Sequence, residues 1–404
     1  MAAYLVGVVL FFLGIAVTIA LHEWGHYITA RIFGMKVRRF FIGFGPNVFS
    51  VRRGETEYGV KAVPVGGFCE IAGMTIQDEL EPGEEHRAMY NKPWWQRIIV
   101  LSGGVAMNIL VGFLVLYGVA VSSGIPNPDT DFTPTVGSVQ CVPDRQIDTS
   151  TLSDCVGTGP AGDAGIRVGD RILEVNGQEV VTFEEVRDTV LLLPGETITV
   201  LVERGSELID VTMEVESATR LSATGEEITV GAIGVTSQPP TDVYKKYGAI
   251  EGVGATARFT GDMIEATFDG LMAFPAKIPG VVASIFGAER DIESPMSVVG
   301  ASRIGGELVE RSMWDMFMMM LASLNFFLAL FNLVPLPPLD GGHIAVILYE
   351  KIRDFFRKLR GKGPGGPADY TKLMPITVGM AALLLSIGAI VIVADVVNPI
   401  RLFG

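Results

Sequence analysis

The sequence predicts an α-helical polytopic membrane protein with four transmembrane helices, a membrane-associated β-hairpin segment and one extracytoplasmic mixed α/β domain. Three observations carry this. Four apolar segments, about 4–30, 98–121, 314–334 and 373–396, are each long enough to cross a hydrocarbon core about 30 Å thick. Acid is concentrated between residues 122 and 312, where 30 Asp/Glu face 13 Lys/Arg; the chain as a whole carries −14, so the remainder is slightly basic. Residues 32–74 break into short β-prone runs between glycines. With 49% hydrophobic residues the chain is too apolar for an ordinary soluble protein, and its net acidity argues against nucleic acid as a partner.

The first element, 1–31, is almost pure hydrocarbon from Tyr4 to Leu21, which at 1.5 Å per residue reaches roughly 25 Å into the bilayer. It ends in His22-Glu23-Trp24-Gly25-His26. It lacks a basic leading region, and the polar motif continues the helix where a cleavage site would lie, so it reads as a span and not as a cleaved signal. Imidazoles and a carboxylate inside a membrane helix are costly and mark a functional site by default. His22 and His26 are i, i+4 and share a helix face, so both can reach one metal ion, with Glu23 beside them as a base. The bland reading, a histidine pair hydrogen-bonding across helices, is the weaker one in a chain with only four histidines.

The segment 32–74 reads as β-hairpins, with Arg52-Arg53-Gly54-Glu55-Thr56 as the turn. Apolar and next to the site, it dips into the membrane, where protein or a watery cavity must satisfy its backbone. Its strand edge reads either as a place for an extended substrate or as a structural plug around the metal, and the two are compatible. Residues 75–97 form a polar loop ending in Trp94, Trp95 and Arg97, an interface anchor for the second span, 98–121. In that span Gly103 and Gly104 permit close helix contact, and Asn108 is a buried amide that either glues helices or orients substrate. Six Lys/Arg (Arg31, Lys36, Arg38, Arg39, Arg52, Arg53) follow the first span, and six more (Lys351, Arg353, Arg357, Lys358, Arg360, Lys362) separate the third from the fourth. The positive-inside rule makes both loops cytoplasmic and puts both termini and the acidic middle outside.

A Pro-rich linker, 122–135, leads to a domain over 136–238 that reads as loop, tight turn, strand, Asn-Gly turn, strand, helix and two further strands. Gly159-Pro160-Ala161, Ala164-Gly165-Ile166, Gly169-Asp170-Arg171-Ile172 and Val175-Asn176-Gly177 resemble a PDZ domain of the bacterial protease-associated type. The resemblance implies a strand-edge groove for peptide tails. Cys141 and Cys155 lie in this outer domain, fourteen residues apart, and a disulfide between them suits an oxidising compartment and adds about 3 kcal/mol. Cys69 is alone. Residues 239–313 read as helices along the outer membrane surface.

The third span and its sequel, 314–342, supply the second half of the site. Pro335, Pro337 and Pro338 stop the helix, and Asp340-Gly341-Gly342 turns at a depth comparable to that of His22 and His26. Two histidines and a carboxylate leave a fourth position for water, the pattern of a catalytic zinc site. A loop, 343–372, and the fourth span with the C-terminus, 373–404, complete the reading. The pairing of His22-Glu23-xx-His26 with Asn332-xx-Pro335-xxxx-Asp340-Gly341, together with Gly104-xxx-Asn108, resembles the site-2 protease family of intramembrane zinc metalloproteases. The Pro64-Val65-Gly66-Gly67-Phe68 hairpin and the single PDZ-like insert resemble its actinobacterial Rip type.

The resemblance implies one Zn2+ per chain held by His22, His26 and Asp340, Glu23 as base, and Asn332 or Asn108 at the oxyanion. It implies cleavage of single-span proteins, typically anti-sigma factors already trimmed outside the membrane. One departure is Val105, where the family often has proline after the glycine. His343, in the family's Leu-Asp-Gly-Gly-His run, is expected to support the site or the fold and not to ligate. A metal sensor or transporter would need polar ligands along a path through other spans, and the fourth span offers only Asp395. A PDZ scaffold with a decayed site is disfavoured because Glu23 and all three ligands are present.

Overall fold

In the computed structural model the chain is described over residues 1–148, 151–222 and 226–402, with all side chains but those of Pro64 and Val65. Two units emerge, one of Met1–Ile125 with the chain from Lys246 on, the other of Pro126–Lys245. The first unit begins with helix α1, Ala2–Ile32, whose buried residues Phe11, Ile15, Thr18, His22, His26 and Ala30 form one stripe at helical spacing. Its other faces are apolar and uncovered, as a span requires. Glycines let other backbones touch the stripe: a Cβ on Gly7 would meet Gly305 O at 2.7 Å, and one on Gly25 would meet Gly103 O at 2.1 Å.

Strands β1 (Val37–Arg53) and β2 (Thr56–Ile71) pair antiparallel around the expected turn, where Gly54 has φ +64°. One long hairpin forms here, doubled on itself. Arg39–Ile42 has partners on both sides, residues 67–70 along one edge and 57–60 along the other. The stretch 67–71 is therefore left as an outer edge. Met35, Val37 and Ile71 pack with Ala30, Met89, Val100 and Ile347, whereas the far half of β1, from Phe44 on, is exposed.

The loop 75–91 is held to this hairpin by charge. Glu84, 2% exposed, takes Lys36 Nζ at 2.6 Å and the Arg38 guanidinium, and Arg38 Nη1 reaches Asp78 at 3.1 Å. Hydrogen bonds from Arg38 and then Lys36 outweigh the opposing effect of burial and hold the Glu84 carboxyl down to about 2 from the usual 4.5. A depressed folded value means the stabilisation is complete above about pH 4.5 and is lost as pH falls toward 2. Limited proteolysis of the loop should accelerate as pH falls from about 4.5 toward 2, and Glu84→Gln should be cut quickly at every pH. A parent cut at the same rate throughout this range would show that the clamp does not depend on Glu84.

Helix α2 (Trp94–Leu101) and helix α3 (Gly103–Ser122) meet at Ser102 and together form one candidate span, longer than expected by a turn at its start.

In the second unit, helix α4 (Gly159–Asp163) precedes a four-stranded antiparallel sheet, with Gln178–Glu179 at one edge and then Arg171–Val175, Thr197–Arg204 and Glu207–Glu214. Asn176 (φ 52°) and Gly177 (φ 75°) make the Asn-Gly turn. Helix α5 (Phe183–Leu191) is capped by Thr182, whose hydroxyl accepts from Glu185 N–H, while the Glu185 carboxylate accepts from Val181 N–H. Ile172, Val175, Ile198, Val200 and Val202 are fully buried beneath it. Strand Glu216–Leu221 pairs with Glu227–Ala232, and Val136–Val139 with Val235–Ser237. Cys141 and Cys155 are bonded to each other, and Cys69 is a free thiol.

Helix α6, Ala249–Ile285, runs unbroken through Pro275 and Pro279. Expectation placed surface helices here and counted four spans. At 37 residues, with an 18-residue stretch of mean hydropathy 1.2, α6 is a fifth helix long and apolar enough to cross a membrane by length and composition. Arg258, Asp262, Glu265 and Asp269, spaced at helical intervals, dilute the apolar signal that marks the other four.

Helix α7 (Val298–Glu310) packs on α1, and helix α8 (Trp314–Leu333) packs on α3. The segment expected as a loop over 343–372 begins instead as helix α9, Asp340–Leu359. Its Arg/Lys residues share it with exposed Leu348, Ile352, Phe355 and Leu359, an interfacial composition that a charge count alone reads as loop. Arg97 of the α2 segment and Glu350 of α9 form a buried ion pair at 2.7 Å. Helix α10 is Met374–Val397. Near its end Asp395 and Arg290, both buried side chains, pair with each other.

Candidate active site

Two turns bring the residues together. His22 and His26 project from the buried stripe of α1. Asp340 arrives because the chain leaving α8 folds back sharply: a Cβ on Gly341 would lie 2.3 Å from Leu333 O, and one on Gly342 2.8 Å from Leu336 O. Only glycine allows that return, which places Asp340 at the first turn of α9.

The three side chains converge on one point. His22 Nε2 and His26 Nε2 are 3.2 Å apart, and Asp340 Oδ2 lies 3.3 Å from the first and 3.4 Å from the second. Tetrahedral bonds of about 2.0–2.1 Å put neighbouring donor atoms roughly 3.3 Å apart, so this triangle has the size of one face of a zinc tetrahedron. Among the described residues it is the group of acidic, histidine or cysteine side chains placed to hold a metal ion.

The surroundings fit the same group. His26 Nδ1 meets Val100 O at 2.8 Å, which fixes Nδ1 as the protonated nitrogen and leaves the Nε2 lone pair free. Asn108, fully buried, has its side-chain amide nitrogen 3.2 Å from His22 Nδ1, while its Oδ1 has no partner. A half-turn of the amide would let Oδ1 accept from an Nδ1–H, the tautomer a ligating His22 needs, and would satisfy the orphaned oxygen. Gly104 completes the cradle, since a Cβ there would lie 2.5 Å from His26 Nε2 and 2.6 Å from His22 Nε2.

Glu23 shares a cavity of about 530 Å3 with these residues and with the hairpin edge Gly66–Cys69. Gly67 passes so close to it that a Cβ there would be 3.1 Å from Glu23 Cγ, and Cys69 lines the same cavity. Asn332 also lines the cavity and has no hydrogen-bond partner among the described residues.

Asn108, expected either to glue helices or to orient substrate, makes its contact to an imidazole across α1 and α3. Asn325, seven residues before Asn332, bonds to Thr18 Oγ1 of α1 at 3.2 Å and so joins two helices. His343 stacks on Tyr370, with Nδ1 3.2 Å from its hydroxyl, away from the triangle. The Val100 carbonyl was invisible beforehand, because any residue supplies one. The role of Gly104 was partly visible, as a small residue four before an asparagine.

A sequence profile described as "Peptidase family M50" matches residues 10–363. The chain belongs to peptidase family M50. Its similarity to individual relatives covers nearly the whole chain. Zinc metalloprotease Rip1 of Mycobacterium bovis (strain BCG / Pasteur 1173P2) is 44% identical over 405 residues, 99% of each chain. Rip1 of Mycolicibacterium smegmatis is 45% identical over 98% of this chain and 99% of its own, and that of Mycobacterium tuberculosis (strain H37Rv) 43% over 99% of each. Among solved structures, the PDZ domain of an SdrC-like protein from Listeria monocytogenes aligns with 26% of this chain and 87% of its own, at 19% identity and a TM-score of 0.18. This M50 member is a multi-pass membrane zinc metalloprotease, with zinc as cofactor and membrane proteins as substrates.

Proposed function

We propose that His22, His26 and Asp340 hold the zinc and that Glu23 is the general base, in a protease that cuts single-span proteins after another protease has trimmed them outside the membrane. The triangle of donor atoms no more than 3.4 Å apart, with Glu23 in the same cavity, carries this reading. Bound there, zinc supplies Lewis acidity, which brings the pKa of water toward 7 and polarises a peptide carbonyl.

The chain's own residues do the rest. Glu23 takes the proton of the attacking water on a carboxylate oxygen and delivers it to the leaving amine nitrogen. The close passage of Gly67 beside Glu23 Cγ holds the side chain in the cavity. Asn332, unpartnered and facing the cavity, donates its amide to the developing oxyanion. Asn108 is a positioning residue, holding the His22 ring. Backbone amides of a helical substrate are occupied, so a substrate must unwind before cleavage. The outer edge of the hairpin at 67–71, flanking Glu23, offers main-chain groups to an extended segment.

The distribution of basic residues supports both termini and the 136–238 domain outside, with catalysis near the cytoplasmic face. The paired cysteines of that domain suit the outside. Its PDZ-like strand order supports a groove for peptide tails, or a screen against bulky outer domains. Substrates of the anti-sigma-factor type fit this orientation, since cutting near the inner face releases a cytoplasmic segment.

The test reconstitutes the full chain with one single-span substrate in two forms, with its outer domain intact and with that domain removed. The trimmed form should be cut at least ten times faster. Equal rates would remove the trimming requirement while leaving the zinc site untouched.

A further inference from the structure

A second cavity, about 960 Å3, opens between the end of α1 and the β1–β2 turn and takes no part in the reaction described above. Its lining includes Trp24, Tyr27 and Tyr58 together with Arg31, Arg52 and Arg53. The one carboxylate in the lining, Glu55, is engaged twice, by Arg31 at 2.6 Å and by Arg87 at 2.6 and 2.8 Å. Arg52 and Arg53 have no carboxylate within 4.0 Å among the described residues, although Arg52 stands opposite Glu57 in the ladder; Arg53 stands opposite Thr56. Two arginines without a carboxylate partner thus line a cavity whose remaining charges already cancel.

The aromatic residues fix its depth. Trp24 and Tyr27 close the apolar run of α1, where indole and phenol rings collect at headgroup level. The Tyr27 and Tyr58 hydroxyls are 2.7 Å apart, which ties the helix to the hairpin. Immediately beside the arginines, Val48, Phe49 and Val51 are 70%, 63% and 50% exposed. In a chain that spans a bilayer, such a surface is covered by acyl chains. An apolar strand beside two arginines without carboxylate partners matches one molecule, a phospholipid with its phosphate at the arginines and its tails along the strand.

We infer that this cavity binds the headgroup of an anionic phospholipid, with Arg52 and Arg53 as its anion-binding residues and the aromatic side chains as its walls. The lipid anchors the hairpin turn to the leaflet. The same hairpin carries Gly67 and Cys69 to Glu23, so occupancy also seats the strand edge that borders the catalytic cavity.

Native mass spectrometry of the purified full chain, given equal phosphatidylglycerol and phosphatidylcholine, tests the binding without reference to proteolysis. The parent should retain phosphatidylglycerol preferentially, and each arginine removed should lower that preference about five-fold. R52Q/R53Q should then show almost none, while R52K/R53K keeps most of it. Should the double variant fail to fold, as judged by zinc content and gel filtration, the single variant R53Q gives the same comparison at a position with no acidic neighbour across the ladder. Equal retention of the two lipids, or an unchanged preference in the glutamine variants, overturns the inference. So does complete displacement of phosphatidylglycerol by millimolar inorganic phosphate, which would identify a free-anion site; no displacement is the expected result.

Discussion

Glu23→Gln should lower turnover by about 10² to 10⁴ while zinc stays bound at the parent's level. The substitution is isosteric, so the amide keeps the volume that Gly67 passes against. It removes the only change that matters, the ability to accept a proton from water and return it to the amine. The three donor atoms lie on other residues, and Asp340 Oδ2 and the two Nε2 atoms do not depend on Glu23 for their positions. The measurement is paired: metal content by mass spectrometry, and cleavage of a single-span substrate by gel. Loss of zinc together with activity would mean that Glu23 helps hold the metal. Undiminished cleavage would mean that the base lies elsewhere in the cavity.

Much of this site is legible in the sequence because its chemistry is local. An i, i+4 histidine pair with an adjacent glutamate needs only a helix to share a face, and the apolar run before it guarantees one. Asp340 was legible for a different reason: prolines end α8 and two glycines follow, so the carboxylate had to sit at a turn next to the span's end. What escaped depends on pairing across long separations. A backbone acceptor such as Val100 O carries no residue signature, yet it orients His26. The hairpin shows the same limit. Its turn follows from Gly54, but the doubling that gives residues 39–42 two partners is a matter of register, which alternation alone does not fix. α6 is ambiguous in sequence because its charges and two prolines suit a surface helix while its length and apolar content suit a span. α9 was missed because a basic run reads alike in a loop and on an interfacial helix.

Gly104→Ala should abolish zinc binding and, with it, activity, although the change is one methyl group on a helix. The added Cβ would lie 2.5 Å from His26 Nε2 and 2.6 Å from His22 Nε2, inside van der Waals contact with the atoms that must face the metal. Relief has two routes. The helices cannot readily part, because α1 and α3 are packed backbone to backbone at Gly25 and Gly103. The imidazoles must therefore turn, breaking the bonds to Val100 O and Asn108 and dispersing the triangle. Side-chain displacement costs far less than separating two packed helices, so the fold should survive while the site does not. Bound zinc should fall from about one per chain to below a tenth, with an unchanged helical circular dichroism spectrum. Gly118→Ala is the control: it lies on the same helix, its Cβ would meet nothing within 4 Å, and zinc and turnover should match the parent. A Gly104→Ala protein that keeps full zinc would show that the metal is not held between these two imidazoles.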